Sequence, residues 1–106
     1  MEQPNLSYIR ELSEGDHVFE KKIVQILQKE LPEEYKEFLR SFNERKFKET
    51  AENVHKLKHK ISILGLVKGY EIASTFEEDL KKDHKTHLYK SFCSIIEVMI
   101  DFIKPL

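Results

Sequence analysis

The chain has 106 residues, of which 35% are charged and 40% hydrophobic, with three Gly, three Pro and no Trp. This length fits a single domain over residues 1–106, and the scarcity of turn-forming residues argues against an all-β fold. A net charge of −1, a lone cysteine, no leader-like start and no long uncharged apolar stretch predict a cytoplasmic protein that binds neither nucleic acid nor membranes.

Three helices are predicted in the first half of the chain. A short helix covers about residues 6–12 and ends before Gly15. Asp16 is a plausible N-cap for the second helix. Its inward residues are expected to be Phe19, Ile23, Ile26, Leu27 and Leu31. Pro32 marks a boundary, because proline is tolerated in a first helical turn, and a third helix then continues to about Asn43.

Three further helices are predicted in the second half. They cover about residues 45–64, 68–82 and 86–103, with Gly65 as a C-terminal stop for the first of them. Short connections make successive helices antiparallel neighbours, each with one apolar stripe to bury. The sequence therefore predicts an all-α fold, an antiparallel up-down four-helix bundle with one or two additional short helices. The aromatic residues follow core spacing in these helices, so no cofactor is expected.

The helix over residues 45–64 carries a group of polar residues beside its buried stripe. On a helical wheel His55 lies roughly 100° from Val54, where the stripe meets solvent. Lys58 falls inside the apolar arc, but its flexible stem can carry the ammonium to the rim near His55. Ser62 and Lys48 share that shoulder, and His59 lies further out. A neutral imidazole is a good nucleophile towards phosphorus, and nearby ammonium groups would favour the neutral ring and offset phosphoryl charge.

The order and spacing of these residues resemble a known family. The run Val-His-Lys-Leu-Lys at residues 54–58, with Leu-Gly at residues 64–65, resembles the signature of histidine-containing phosphotransfer (HPt) domains. Residues 5–9, Asn-Leu-Ser-Tyr-Ile, before Gly-Asp at residues 15–16 resemble the N-terminus of bacterial members. Phe47 matches the aromatic residue that usually stands eight positions before the histidine. The resemblance thus extends over most of the chain.

The resemblance implies a role for each of several residues. His55 would be phosphorylated, Lys58 would support the phosphoryl group, and Glu77 on the neighbouring helix would orient the imidazole. Lys48, His59 and Ser62 would belong to the docking face. The partners would be response-regulator receiver domains, a hybrid sensor histidine kinase, or both, and they would supply the aspartyl phosphate, the acidic pocket and Mg²⁺. The chain would be a monomeric phosphocarrier rather than an enzyme, with no metal or cofactor of its own.

Two alternatives stay open. The family usually has glycine or another small residue where this chain has His59, so the chain could be a degenerate adaptor that binds receiver or kinase domains without being phosphorylated. His55 and His59, at i and i+4, could also ligate a metal with Glu52 as a third ligand, although two surface histidines are far commoner. The remaining histidines, and the charge run at residues 81–85, are expected to be solvated, and Cys93 to be a small core or flank residue.

Overall fold

The computed structural model describes residues 2–106, which form five α-helices and no strand, so the all-α prediction is confirmed. The helices are α1 Ser7–Ser13, α2 His17–Asn43, α3 Phe47–Ile63, α4 Val67–Lys82 and α5 Tyr89–Ile103. The central helix α3 packs most extensively on α4 and α2, and α5 packs against α2 and α4. None of the helices in this described part is long and apolar enough to cross a lipid bilayer.

The predicted helix boundary at Pro32 is wrong, because α2 runs through it without a break. Pro32 lies on the exposed side of the helix, where its ring faces solvent. The buried positions Leu27, Leu31 and Phe38 stay on one stripe on both sides of the proline. The free energy gained by burying this continuous stripe outweighs the cost of the backbone hydrogen bond that a proline removes from a helix interior. Residues 2–106 therefore form five helices rather than the six of the sequence prediction.

The N-terminal half of α2 exposes two side chains that were predicted to face inward. Phe19 is 45% exposed and Ile26 is 53% exposed. Both lie roughly 120–140° around the helix from Leu31, whereas Val24 and Leu27 lie close to it and are buried. The predicted stripe was therefore too wide, and the helix buries its narrower Val24–Leu27–Leu31 side.

The N-terminal segment ties the start of the chain to the turn between α3 and α4. The backbone N–H of Asn5 donates to the carbonyl of Leu64, 2.9 Å away, and the Glu2 carboxylate accepts from the backbone N–H groups of Lys68 and Gly69. Gly65 closes the turn with φ +78°, a left-handed conformation that favours glycine. These contacts fix the connection between the two helices that carry the polar cluster.

The two flanks of α3 differ in chemistry. On the α2 side, Asn53 Nδ2 donates to Ser41 Oγ at 2.9 Å, and Lys60 Nζ lies 3.0 Å from a carboxylate oxygen of Glu34. On the α4 side, Lys58 Nζ lies 2.9 Å from Glu77 Oε1. Polar contacts on both sides thus set the rotation of α3 about its axis and decide which residues face solvent.

Candidate functional site

His55 stands at the edge of the buried face of α3. Its neighbours Val54 and Leu57 are fully buried, which fixes the helix against the core. The His55 side chain is 53% exposed, so one edge of the ring faces α4 and the rest faces solvent. The position on the wheel that the sequence predicted is the one the helix adopts.

The carboxylate of Glu77 contacts three side chains at once. Its Oε2 atom lies 3.2 Å from His55 Nδ1 and 3.0 Å from Lys81 Nζ, while its Oε1 atom lies 2.9 Å from Lys58 Nζ. The Glu77 side chain is only 7% exposed. Burial by itself would raise the pKa of this carboxyl group, but the ammonium groups of Lys58 and Lys81 outweigh burial and hold the pKa below its usual range. Glu77 is therefore ionised at neutral pH.

The ionised carboxylate determines which nitrogen of His55 carries the proton. A carboxylate only accepts hydrogen bonds, so the His55 Nδ1 atom beside it must be the N–H donor. In the neutral ring the other nitrogen, Nε2, then keeps its lone pair. Because the side chain is about half exposed, an electrophile can approach the ring from solvent. The neutral ring can therefore act as a nucleophile at Nε2.

Lys58 occupies a different position from the one that the sequence predicted. Instead of reaching the rim, its ammonium is buried on Glu77, with the side chain 14% exposed and Nζ 5.4 Å from the centre of the Tyr70 ring. Tyr70 and Glu77 are seven residues apart, so they share one face of α4. A buried carboxylate and an aromatic face offer this ammonium two attractive partners. Lys58 and His55 are thus linked through a common partner, the Glu77 carboxylate.

The three predicted docking residues lie on the exposed side of α3. His59 follows one turn after His55, and the two rings meet edge to face with centroids 4.9 Å apart. Ser62 is exposed and lines a shallow cleft with Tyr70 at the α3–α4 turn. Lys48 is exposed two turns before His55. The structure thus joins His55, Lys58 and Glu77 in one charge cluster and sets Lys48, His59 and Ser62 along the same helix face.

Lys81 is the member of the cluster that the sequence analysis missed. It was expected only to be solvated as part of the charge run at residues 81–85, but its Nζ atom, in the last turn of α4, contacts Glu77 Oε2. The signal was present in the sequence, because Glu77 and Lys81 are spaced i and i+4 with the acid first, the favourable order for a helical ion pair. Its side chain is 53% exposed, so it forms the solvent side of the cluster.

Potential metal ligands do not gather at this site. Within residues 2–106 there is no group of three or more His, Cys, Asp or Glu side chains placed to hold a metal ion. The two histidines of α3 with Glu52 therefore do not form such a group, and metal binding is not proposed for them.

Comparisons with protein-family models, with curated proteins and with solved structures find no match for this chain.

Proposed function

We propose that the chain is a histidine phosphotransfer protein of a two-component phosphorelay, an HPt-like phosphocarrier. His55 would accept a phosphoryl group from the aspartate of one receiver domain and pass it to another. The observation that carries this proposal is the contact between His55 Nδ1 and the buried, ionised Glu77, which leaves Nε2 free on a half-exposed ring. Phosphotransfer needs such a nucleophile at the surface, because the electrophile belongs to a second protein.

The proposed architecture is an antiparallel up-down four-helix bundle of α2 to α5, with α1 as an additional short helix. Contacts between α2 and α3 support an antiparallel arrangement of these two helices. Thr50 near the start of α3 contacts Ser41 near the end of α2, and Lys60 near the end of α3 contacts Glu30 further back along α2. Pairs that run in opposite order along two helices are typical of antiparallel neighbours.

The proposed transfer needs no general base from this chain. The Nε2 lone pair of His55 attacks the phosphorus of the aspartyl phosphate, so an N–P bond forms. The bond from phosphorus to the aspartate oxygen breaks, and its electron pair leaves with the aspartate carboxylate. The proton on Nδ1 stays in place, so the phosphorylated ring is cationic and Glu77 stabilises it through the 3.2 Å contact. The reverse step returns the phosphoryl group to a second aspartate.

The charge of the cluster suits an anion on His55. Lys58 and Lys81 share one carboxylate, so the cluster has one positive charge in excess before the phosphoryl group arrives. This excess offsets part of the phosphoryl charge in the transition state and in the product. The receiver would supply Mg²⁺ and the remaining acidic groups.

The proposal is tested with receiver domains labelled by radioactive acetyl phosphate. Wild type and the variants His55→Gln and His17→Gln are each incubated with the labelled receivers. His17 is an exposed histidine at the start of α2 and serves as the control. We expect acid-labile, alkali-stable label on wild type and on His17→Gln, and none on His55→Gln. Equal labelling of the two histidine variants, or no label on wild type with any receiver, overturns the proposal.

An adaptor that binds receivers without being phosphorylated is a second candidate, favoured by one observation. The ring of His59 meets His55 edge to face on the side from which a receiver would approach. The variant His59→Gly separates the two candidates. If wild type binds receivers unlabelled and only His59→Gly takes the label, the native chain is an adaptor. If both are labelled, His59 is compatible with transfer.

A further inference from the structure

A cleft opens beside His55, between the first half of α3 and the end of α4. Its volume is about 510 Å³, and it is lined by Lys48, Glu52, Leu80, Lys81 and His84. We call this cleft, with its five lining residues, the basic cleft. Leu80 is fully buried, so the groups that a ligand would meet are the four polar side chains.

The basic cleft is continuous with the cluster around His55. Lys81 belongs to both, because its Nζ atom contacts the same Glu77 oxygen that contacts His55 Nδ1. Glu52 and Lys48 precede His55 by three and seven residues, which is about one and two helical turns. A protein seated on His55 would therefore cover the basic cleft if it extended towards the N-terminal end of α3.

Positive charge prevails in the basic cleft, although the whole chain has a net charge of −1. Among residues 2–106, Lys48 and His84 belong to none of the ion pairs. Lys81 shares its carboxylate with Lys58, so the charge on Lys81 is only partly compensated. Glu52 is the single acidic group in the lining. The unpaired Lys48 and the partly compensated Lys81 outnumber the single acid, and this balance favours a small anionic group.

The other cations at this end of the molecule argue against a polyanion as ligand. Lys46 Nζ lies 3.1 Å from a Glu44 oxygen, and Lys82 Nζ lies 3.2 Å from a Glu78 oxygen. Nucleic acid is held by rows of basic groups that are free to contact successive phosphates. Here Arg45 also lies outside the ion pairs of residues 2–106, but Glu49 and Glu52 stand among these cations and interrupt any such row.

We propose that the basic cleft receives a surface carboxylate of the receiver domain that docks on His55. This inference rests on the proposed function and extends it, because it assigns the direction in which the receiver lies across the helices. Lys48 makes the attractive charge contact, a ring N–H of His84 can donate to the carboxylate, and Glu52 disfavours partners with a second negative charge at this point. Charges at the rim of an interface act mainly on the association rate and on its salt dependence.

The first test measures carboxylate binding with no receiver present. A tetraglutamate peptide is titrated into the full isotope-labelled chain and followed by backbone amide NMR, with tetraglutamine as the neutral peptide. We expect saturable shifts confined to residues 45–52 and 80–85 with tetraglutamate alone. Lys48→Glu should weaken this binding about fivefold and Glu52→Gln should tighten it about twofold, as expected for single charge contacts near a surface. Tightening by Glu52→Gln cannot arise from misfolding.

The matched control is Lys21→Glu, the same charge reversal at an exposed position on α2. Equal weakening by Lys21→Glu and Lys48→Glu, or shifts centred elsewhere, overturns the basic cleft as a carboxylate site.

The second test measures the rate of transfer from a labelled receiver at low and at high salt. Lys48→Glu should slow transfer at low salt, and the difference from wild type should shrink at high salt. Transfer to His55 at an unchanged rate in Lys48→Glu overturns the inference and leaves the proposed function intact. Peptide binding at the basic cleft with no label on wild-type His55 removes the proposed function. The receiver then stays the occupant only if it binds wild type unlabelled and Lys48→Glu weakens that binding; otherwise the inference is overturned as well.

Discussion

The buried contact between Lys58 and Glu77 should be strongly coupled in folding. The perturbation is a double-mutant cycle of Lys58→Met and Glu77→Gln. Methionine keeps a flexible apolar stem and removes only the ammonium, and glutamine keeps the shape of the carboxylate and removes its charge. Each single variant leaves the other charge without the partner that lies 2.9 Å away.

The magnitude follows from the burial of the two side chains. Breaking a fully buried pair by removing one partner costs about 3–5 kcal/mol. Here the side chains are 14% and 7% exposed, and Lys81 still contacts Glu77 from the solvent side. We therefore expect each single variant to lose about 2 kcal/mol of unfolding free energy, and the double variant to lose at least about 1 kcal/mol less than the two single losses together.

Urea unfolding followed by far-UV circular dichroism at pH 7 measures the four free energies. The control is Lys82→Met, which breaks an ion pair to Glu78 whose side chains are 74% and 59% exposed, and which should cost less than about 0.5 kcal/mol. Losses that add within about 0.5 kcal/mol would refute the coupling. A loss in Lys58→Met no larger than that in Lys82→Met would refute the argument from burial.

The same variants make a prediction about pH. The folded pKa of Glu77 lies below its unfolded value, so its charge stabilises the fold above the unfolded pKa, near about 4.3, and this contribution is lost as the pH falls through the folded pKa. The stability difference between wild type and Glu77→Gln should therefore shrink as the pH falls below about 5. A difference that grows in acid would contradict the assigned sign.

Three further predictions concern the fold. Gly65→Ala should destabilise the fold more than Gly15→Ala. Both glycines have a left-handed conformation, in which alanine costs about 1 kcal/mol of stability. Only at Gly65 would the added Cβ also lie 2.6 Å from Asn5 Nδ2. Equal losses in urea would show that this contact yields freely. Pro32→Ala should raise the unfolding free energy by roughly 1–3 kcal/mol, because it restores a hydrogen bond within α2; a lower urea midpoint would mean that packing depends on the proline. Cys93 is half-buried and burial raises the pKa of its thiol, so Ellman's reagent should react with the folded chain at least about tenfold more slowly than with the urea-unfolded chain; equal rates would contradict the burial.

Local signals in the sequence predicted most of the helices, although the last one begins at Tyr89 rather than at about residue 86. Asp16 was expected to cap a helix, and its side-chain oxygen accepts from the backbone N–H groups of Val18 and Phe19. Pro32 was misjudged for a physical reason, since proline is a local signal whereas the buried stripe that continues across it gains its energy from other helices. Phe19 was misjudged likewise, because the part of an apolar stripe that is buried depends on where neighbouring helices lie.

The sequence predicted which residues form the candidate site better than it predicted which of them contact each other. The wheel placed His55 at the edge of the buried stripe, and the resemblance pointed to Glu77 as its neighbour, which the structure sets 3.2 Å away. Lys58 was expected at the rim because the sequence does not reveal that the Lys58 ammonium contacts a carboxylate on another helix. Lys81 was missed since its role depends on the same carboxylate. Pairings across helices are set by tertiary packing, which periodicity does not encode.

Lys58 and Lys81 share the Glu77 carboxylate, but they should respond differently to ionic strength. Lys81 is about half exposed, so dissolved ions screen its attraction to anions, whereas Lys58 is buried and is screened much less. As salt rises, the long-range pull on a negatively charged partner weakens first, and the local hold on Glu77 and the His55 ring persists. For the proposed phosphotransfer, partner binding should therefore weaken at a lower salt concentration than the contacts around His55, and ionic strength can be used to separate the two effects.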